Sequence, residues 1–168
     1  MLVRTVLAAA ALSAALAAAP PEPARWEVAG TANLDGCPGV IVFFKTGSST
    51  LSEEAKTLLD QHLPWMRDMV VAGAWLEANA AIDHTEAQSG YRHLARRRGE
   101  AVRAHLAARG IDPLHVRVQD RGASRPLVAP KGKQLTRREL DQNRFVNVAP
   151  LMPRKVFQIF FPPGGPIC

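Results

Sequence analysis

The sequence predicts an α/β two-layer sandwich, read in order as βαβαβ(α)β, with its helices packed on one face of a sheet. Two observations carry this. Short apolar or alternating stretches (residues 40–44, 76–82, 114–119 and 144–148) are separated by stretches with helical spacing (52–66 and 88–108), the arrangement of helices layered on a sheet. The helices are also too few to cover both faces. At 168 residues the chain is the right length for one domain, and its 47% hydrophobic and 21% charged residues are ordinary for a globular fold.

The N-terminus is read apart from the fold. Arg4, the alanine- and leucine-rich run 6–16 and the small-x-small site Ala15-Leu16-Ala17 read as a secretory signal over residues 1–17. The run is short for a membrane span. No cysteine lies near the cut, so no lipid anchor is expected there. Residues 18–36, with Pro20, Pro21 and Pro23, read as a linker. Export would place Cys37 and Cys168 in an oxidising compartment, where they are either a disulfide between domain start and tail or two free thiols.

From there the elements follow in order. Residues 40–44 form an apolar strand, and the Gly/Ser-rich turn 46–50 lacks Gly-Lys-[Ser/Thr] and reads as a plain loop. Helix one is capped by Ser52 or Thr50, with Glu53 and Glu54 in its first turn. It turns Leu51, Ala55, Leu58, Leu59, His62, Leu63 and Met66 inward, and Pro64 kinks or ends it. In the following strand, within residues 70–82, Leu76, Ala78, Ala80 and Ile82 share the buried side. Helix two spans about 88–108 and stops at Gly110. Strand three covers 114–119, Thr136 caps a short helix over 137–141, and strand four covers 144–148. Residues 155–161 alternate weakly and suggest a fifth strand or docked tail, leaving 151–168 outside the domain of 37–150.

Helix two singles out one side chain. At about 100° per residue from Leu94, the residues Ala95, Ala101, Val102 and Leu106 span an apolar arc, and Arg98 falls at about 40°, inside it. Arg96, Arg97, Glu100 and Arg103 lie on a solvated face. A charge facing a core needs a partner, and the acids nearby are Asp83 and Glu86.

Catalytic and metal patterns are missing from the sequence. The five histidines have no His-x-x-x-His spacing, and there is no Cys-x-x-Cys or Gly-x-Ser-x-Gly. No enzyme, metal or cofactor is therefore expected. The net charge of +6 and the run Arg96-Arg97-Arg98 do not make a nucleic-acid surface, because aromatic interleaving is missing and the chain reads as exported. His84 reads as a loop-packing histidine. Asn143 and Arg144 read as positioning the last strand.

The order of motifs resembles the OmpA-like C-terminal domain, which tethers envelope proteins to peptidoglycan. Its Gly-His-Thr-Asp tetrad matches Asp83-His84-Thr85-Glu86. Its helix signature matches Leu94-Ala95-x-x-Arg98-Gly99-x-x-Val102-x-x-x-Leu106. Gly110-Ile111, the loop 122–126 and Asn143-Arg144-Phe145-Val146 follow in the family's order. The resemblance covers about residues 37–148 and implies a mixed sheet. It also implies a periplasmic module that binds the diaminopimelate of the peptidoglycan stem peptide, with no cofactor and no nucleic acid. By resemblance, Glu86 (or Asp83) would take the ligand ammonium and Arg98 its carboxylate, aided by Thr85 and helix amides. This chain departs from the family in carrying Glu86 for Asp, Asp83 for Gly, Gly99 for Ala, Tyr91 for Asn, and a shorter loop before the helix. Those departures leave a second reading, a diverged OmpA-like domain that binds envelope proteins instead of peptidoglycan.

Overall fold

The computed structural model describes residues 39–91 and 93–151. Their elements are β1 (Val40–Phe43), α1 (Glu53–Gln61), α2 (Leu63–Val71), β2 (Trp75–Ala81), α3 (His84–Gln88), α4 (Leu94–Ala108), β3 (Val116–Gly122), α5 (Arg137–Gln142) and β4 (Phe145–Leu151). The signal segment, the linker, both cysteines and the weak strand at 155–161 lie outside the described residues.

The sheet is mixed, in the order β1-β4-β2-β3. β4 runs antiparallel to both β1 and β2, and β2 runs parallel to β3. The last strand in sequence is thus central. Its inward residues Val146 and Val148 are fully buried beside Val40, Val42, Leu76, Ala78 and Ala80. α1, α2 and α4 close this face with Leu59, Met66, Val102 and Leu106. The opposite face carries a small cluster of Ile41, Ala81 and Phe145 packed against Phe43 and Leu127, and then polar residues in which Arg121 reaches Asn79 at 2.7 Å. Two layers with helices on one face is therefore the architecture.

Several boundaries differ from the sequence reading; β3 runs on to Gly122 and β4 to Leu151, one residue past the expected domain end. The helix read over 52–66 breaks just before Pro64: α1 ends at Gln61 and α2 begins at Leu63, with Pro64 in the first turn of α2, where its missing N–H is no loss. Val70 belongs to that helix, and β2 starts only at Trp75. Leu114 lies in a 3₁₀ turn at residues 113–115 and is exposed. Helix two starts later than residue 88, at Leu94, and a short separate helix, α3 (His84–Gln88), precedes it where no helix was expected; Gly90, with φ 74°, lies between the two. The caps at Ser52 and Thr136 are formed, each accepting an amide three residues on.

Gly99 shows why this helix carries no alanine there. A Cβ would lie 2.4 Å from Val118 Cγ1 and 3.4 Å from Ala80 Cβ, on the face where α4 meets the sheet. A glycine inside a helix costs about 1 kcal/mol against alanine. Val118 is β-branched and stiff, so it gives way poorly, and overpacking of this kind costs about 1–3 kcal/mol. We expect Gly99→Ala to lower the urea midpoint despite its better helix propensity, and Val118→Ala in the same chain to restore part of the loss. A more stable Gly99→Ala chain would show that the approach is not tight.

Candidate functional site

The site forms where three chain segments meet at one end of the sheet. The first is the turn after β1. Gly47 adopts φ 68°, and a Cβ there would meet the Tyr91 hydroxyl at 3.0 Å, so glycine suits both the turn and the ring lying on it. This geometry presents the carbonyls of Lys45 and Ser48 and the amide of Gly47 to the interior. The turn read from sequence as a plain loop is therefore a lining of the site.

The second segment is the end of β2 with α3. Asp83 caps α3: its Oδ1 accepts from the Thr85 amide at 2.6 Å, the Thr85 hydroxyl at 2.5 Å and the Glu86 amide at 3.0 Å. Glu86 stands at the third helical position and accepts the Asp83 amide at 3.4 Å in return, completing a capping box. The four-residue motif thus folds back on itself. His84 points out of it and is exposed, not packed.

The third segment is α4. Arg98 is fully buried on the inward arc, as its helical position predicts. Ala95, Val102 and Leu106 are buried with it, whereas Ala101 is only half-buried. The Arg98 guanidinium grips Glu86 through both ends, Nη2 to Oε1 at 2.7 Å and Nη1 to Oε2 at 2.9 Å. Its remaining donors reach the carbonyls of Ser48 (2.9 Å), Ala81 (3.1 Å) and Lys45 (3.2 Å). A guanidinium has five N–H groups, and these five bonds use them all. Phe44 lies under the plane at 5.3 Å, within cation–π range. Glu86 Oε1 takes a further bond from the Gly47 amide at 2.8 Å.

A second pair adjoins the first. Arg144, 5% exposed, donates to Asp83 through Nε and to Asp141 through Nη1 at 2.5 Å, and its Nε lies 3.8 Å from Glu86 Oε1. Three carboxylates therefore share two arginines. Burial pushes the Asp83 carboxyl up, but hydrogen bonds from Thr85, Arg144 and the Glu86 amide outweigh it and hold the group below its usual range. Arg144 stands just before β4 and is a member of this charge network. No sequence pattern marks the carbonyls of Lys45, Ser48 and Ala81, because acceptance by backbone is independent of residue type.

Among the described residues no group of histidine, cysteine, aspartate and glutamate is placed to hold a metal ion, and no helix is long and apolar enough to cross a membrane.

A model of the OmpA family matches residues 43–139, more than half of the chain. No curated protein sequence matches it. Among solved structures, the peptidoglycan-associated lipoprotein from Burkholderia pseudomallei superposes with a TM-score of 0.57 at 19% identity, over 66% of this chain and 89% of that one. The periplasmic domain of Helicobacter pylori MotB (residues 90–256) gives 0.56 at 12%, over 77% and 87%. The cell wall anchor of the T6SS from Pseudomonas aeruginosa gives 0.52 at 18%, over 66% and 78%. At these identities the likeness is one of fold.

Proposed function

This chain belongs to the OmpA family, and on that premise we propose that it is an exported, periplasmic module that binds peptidoglycan non-covalently and catalyses nothing. The observation that carries this reading is the buried, bidentate Arg98–Glu86 pair, on the positions that match the family's ligand arginine and acid. The free end of diaminopimelate is a zwitterion, with an ammonium and a carboxylate on one carbon. Such a ligand can replace each partner of the pair by a like charge: its ammonium faces Glu86 and its carboxylate faces Arg98. The exchange leaves no charge unmatched, which matters in a dry site. Asp83 and Thr85 hold the α3 turn that carries Glu86. α4 begins without a side-chain cap; its Leu94 amide bonds the Tyr91 carbonyl at 3.3 Å, so the amides that follow are the ones that can assist the ligand anion. Arg98 and Glu86 have no exposed side-chain surface, so entry of a ligand requires a covering segment to move.

The test is retention on purified sacculi with competition by soluble muropeptides. Diaminopimelate-type muropeptide is expected to release the chain. The lysine type, which lacks the carboxylate beside the terminal ammonium, is expected to release it at least tenfold less well. Equal competition would remove diaminopimelate as the recognised group.

One observation favours a second reading. All five Arg98 donors are already satisfied by the chain itself, so the pair also suits a purely structural role, in a domain that docks on an envelope protein. Failure of the wild type to bind sacculi, together with one specific cross-linked partner, would establish that reading instead.

A further inference from the structure

A cleft of about 1130 Å³ opens between the turn after β1 and α5, outside the Arg98 pair. Its wall carries Lys45, Arg137, Arg138 and Arg144, against the two carboxylates of Glu54 and Asp141. Arg144 is the informative one. It is 5% exposed, Nε and Nη1 are bonded to Asp83 and Asp141, and Nη2 has no partner among the described residues. Arg144 lines the cleft, so its guanidinium is a fixed cation that an anion in the cleft can meet. Arg137 and Arg138 are exposed and make no ion pair among the described residues. Phe44 and Leu51 give the cleft an apolar floor. Ser48, whose carbonyl accepts from Arg98, also lines it, so the cleft ends one bond from the buried pair.

We propose that this cleft is an anion subsite for the stem peptide, with Arg144 at its base and Arg137 and Arg138 at its rim receiving backbone and side-chain carboxylates. The proposal rests on the peptidoglycan reading above and adds the residues that face the rest of the ligand. The volume exceeds what a single amino acid needs, and an extended peptide advances about 3.3–3.6 Å per residue, so several stem residues fit. Stem peptides are rich in carboxylates and poor in bases, which matches a wall where cations outnumber acids.

The experiment is sacculus retention of the full chain across a salt series, comparing wild type with Arg137→Glu/Arg138→Glu. Both residues lie in the first turn of α5, where acidic side chains favour the helix, so the reversal should leave the fold intact. An equal melting temperature checks this, and Arg137→Gln/Arg138→Gln serves if it shifts. Arg117→Glu/Arg125→Glu makes the same charge change outside the cleft. Retention should fall at least tenfold for the cleft variant and less than twofold for the control. Wild-type retention should weaken as salt rises. Equal retention of the cleft variant and wild type overturns the subsite while leaving the peptidoglycan reading standing. Equal loss in the control reduces it to general charge and overturns it too. Wild type that ignores sacculi overturns the function itself, and with it this ligand. Binding to vesicles of anionic phospholipid as tight as to sacculi, lost in the cleft variant, would assign the same residues to lipid headgroups and overturn the stem peptide as ligand.

Discussion

Arg98→Ala should bring the domain close to its unfolding threshold. The substitution leaves Glu86 fully buried with the Gly47 and Asp83 amides and only the more distant Arg144 guanidinium at 3.8 Å, and strips the donor from three carbonyls. Removing one member of a buried pair costs about 3–5 kcal/mol, against a total stability of about 5–15 kcal/mol for an ordinary domain. Urea unfolding checks it. Because the loss comes from a stranded charge, removing both charges should be milder than removing one. Glu86→Leu/Arg98→Met should stand about 2 kcal/mol or more above Arg98→Ala, a coupling typical of contacting residues. Strict additivity of the single losses would show that the two side chains do not depend on each other. Loss of sacculus binding in Arg98→Ala alone thus says little about ligand recognition, which is why muropeptide competition of the intact chain is the better functional test.

Asp83→Ala should be the next most damaging change, for two separable reasons. It removes the cap of α3, worth about 1 kcal/mol, and it takes from Arg144 one of its two carboxylates, worth about 2 kcal/mol more for a charged hydrogen bond at a buried site. Asp83→Asn keeps an acceptor for the Thr85 and Glu86 amides but loses the charge, so it should recover most of the capping part only. The pH dependence has a definite sign. The folded-state carboxyl of Asp83 is held below its ordinary range, so its contribution is fully present above the unfolded value of about 3.9 and is lost as pH falls through the lower folded value. The stability gap between wild type and Asp83→Asn should therefore be flat from neutral pH to about 5, and should close as the pH drops below about 4. A gap that widens in acid would mean that Asp83 is not the group being protected.

The sequence made Arg98 visible because a helical position is a geometric statement, and one arginine inside an apolar arc has few explanations. The capping box was equally available in Asp83-x-x-Glu86, the same spacing as Thr136-x-x-Glu139. Its consequence is that Glu86 belongs to a short helix of its own, where the sequence reading placed a loop before helix two. Pro64 was ambiguous for a physical reason: proline breaks a helix in its interior but is at home in a first turn, and position alone does not say which helix it is in. The tight fit at Gly99 and the carbonyl acceptors around Arg98 depend on distances between segments far apart in sequence. No local pattern encodes them.

The central place of β4 has a kinetic consequence. The strand that completes the sheet is the last one described, and it pairs with β1 about a hundred residues earlier in the chain. Such distant pairings must pay loop-closure entropy before they return any contact energy, so they slow folding. Arg144, at the head of β4, reaches Asp83 only after that insertion. A growing chain therefore has no finished charge network until nearly all of the domain is present.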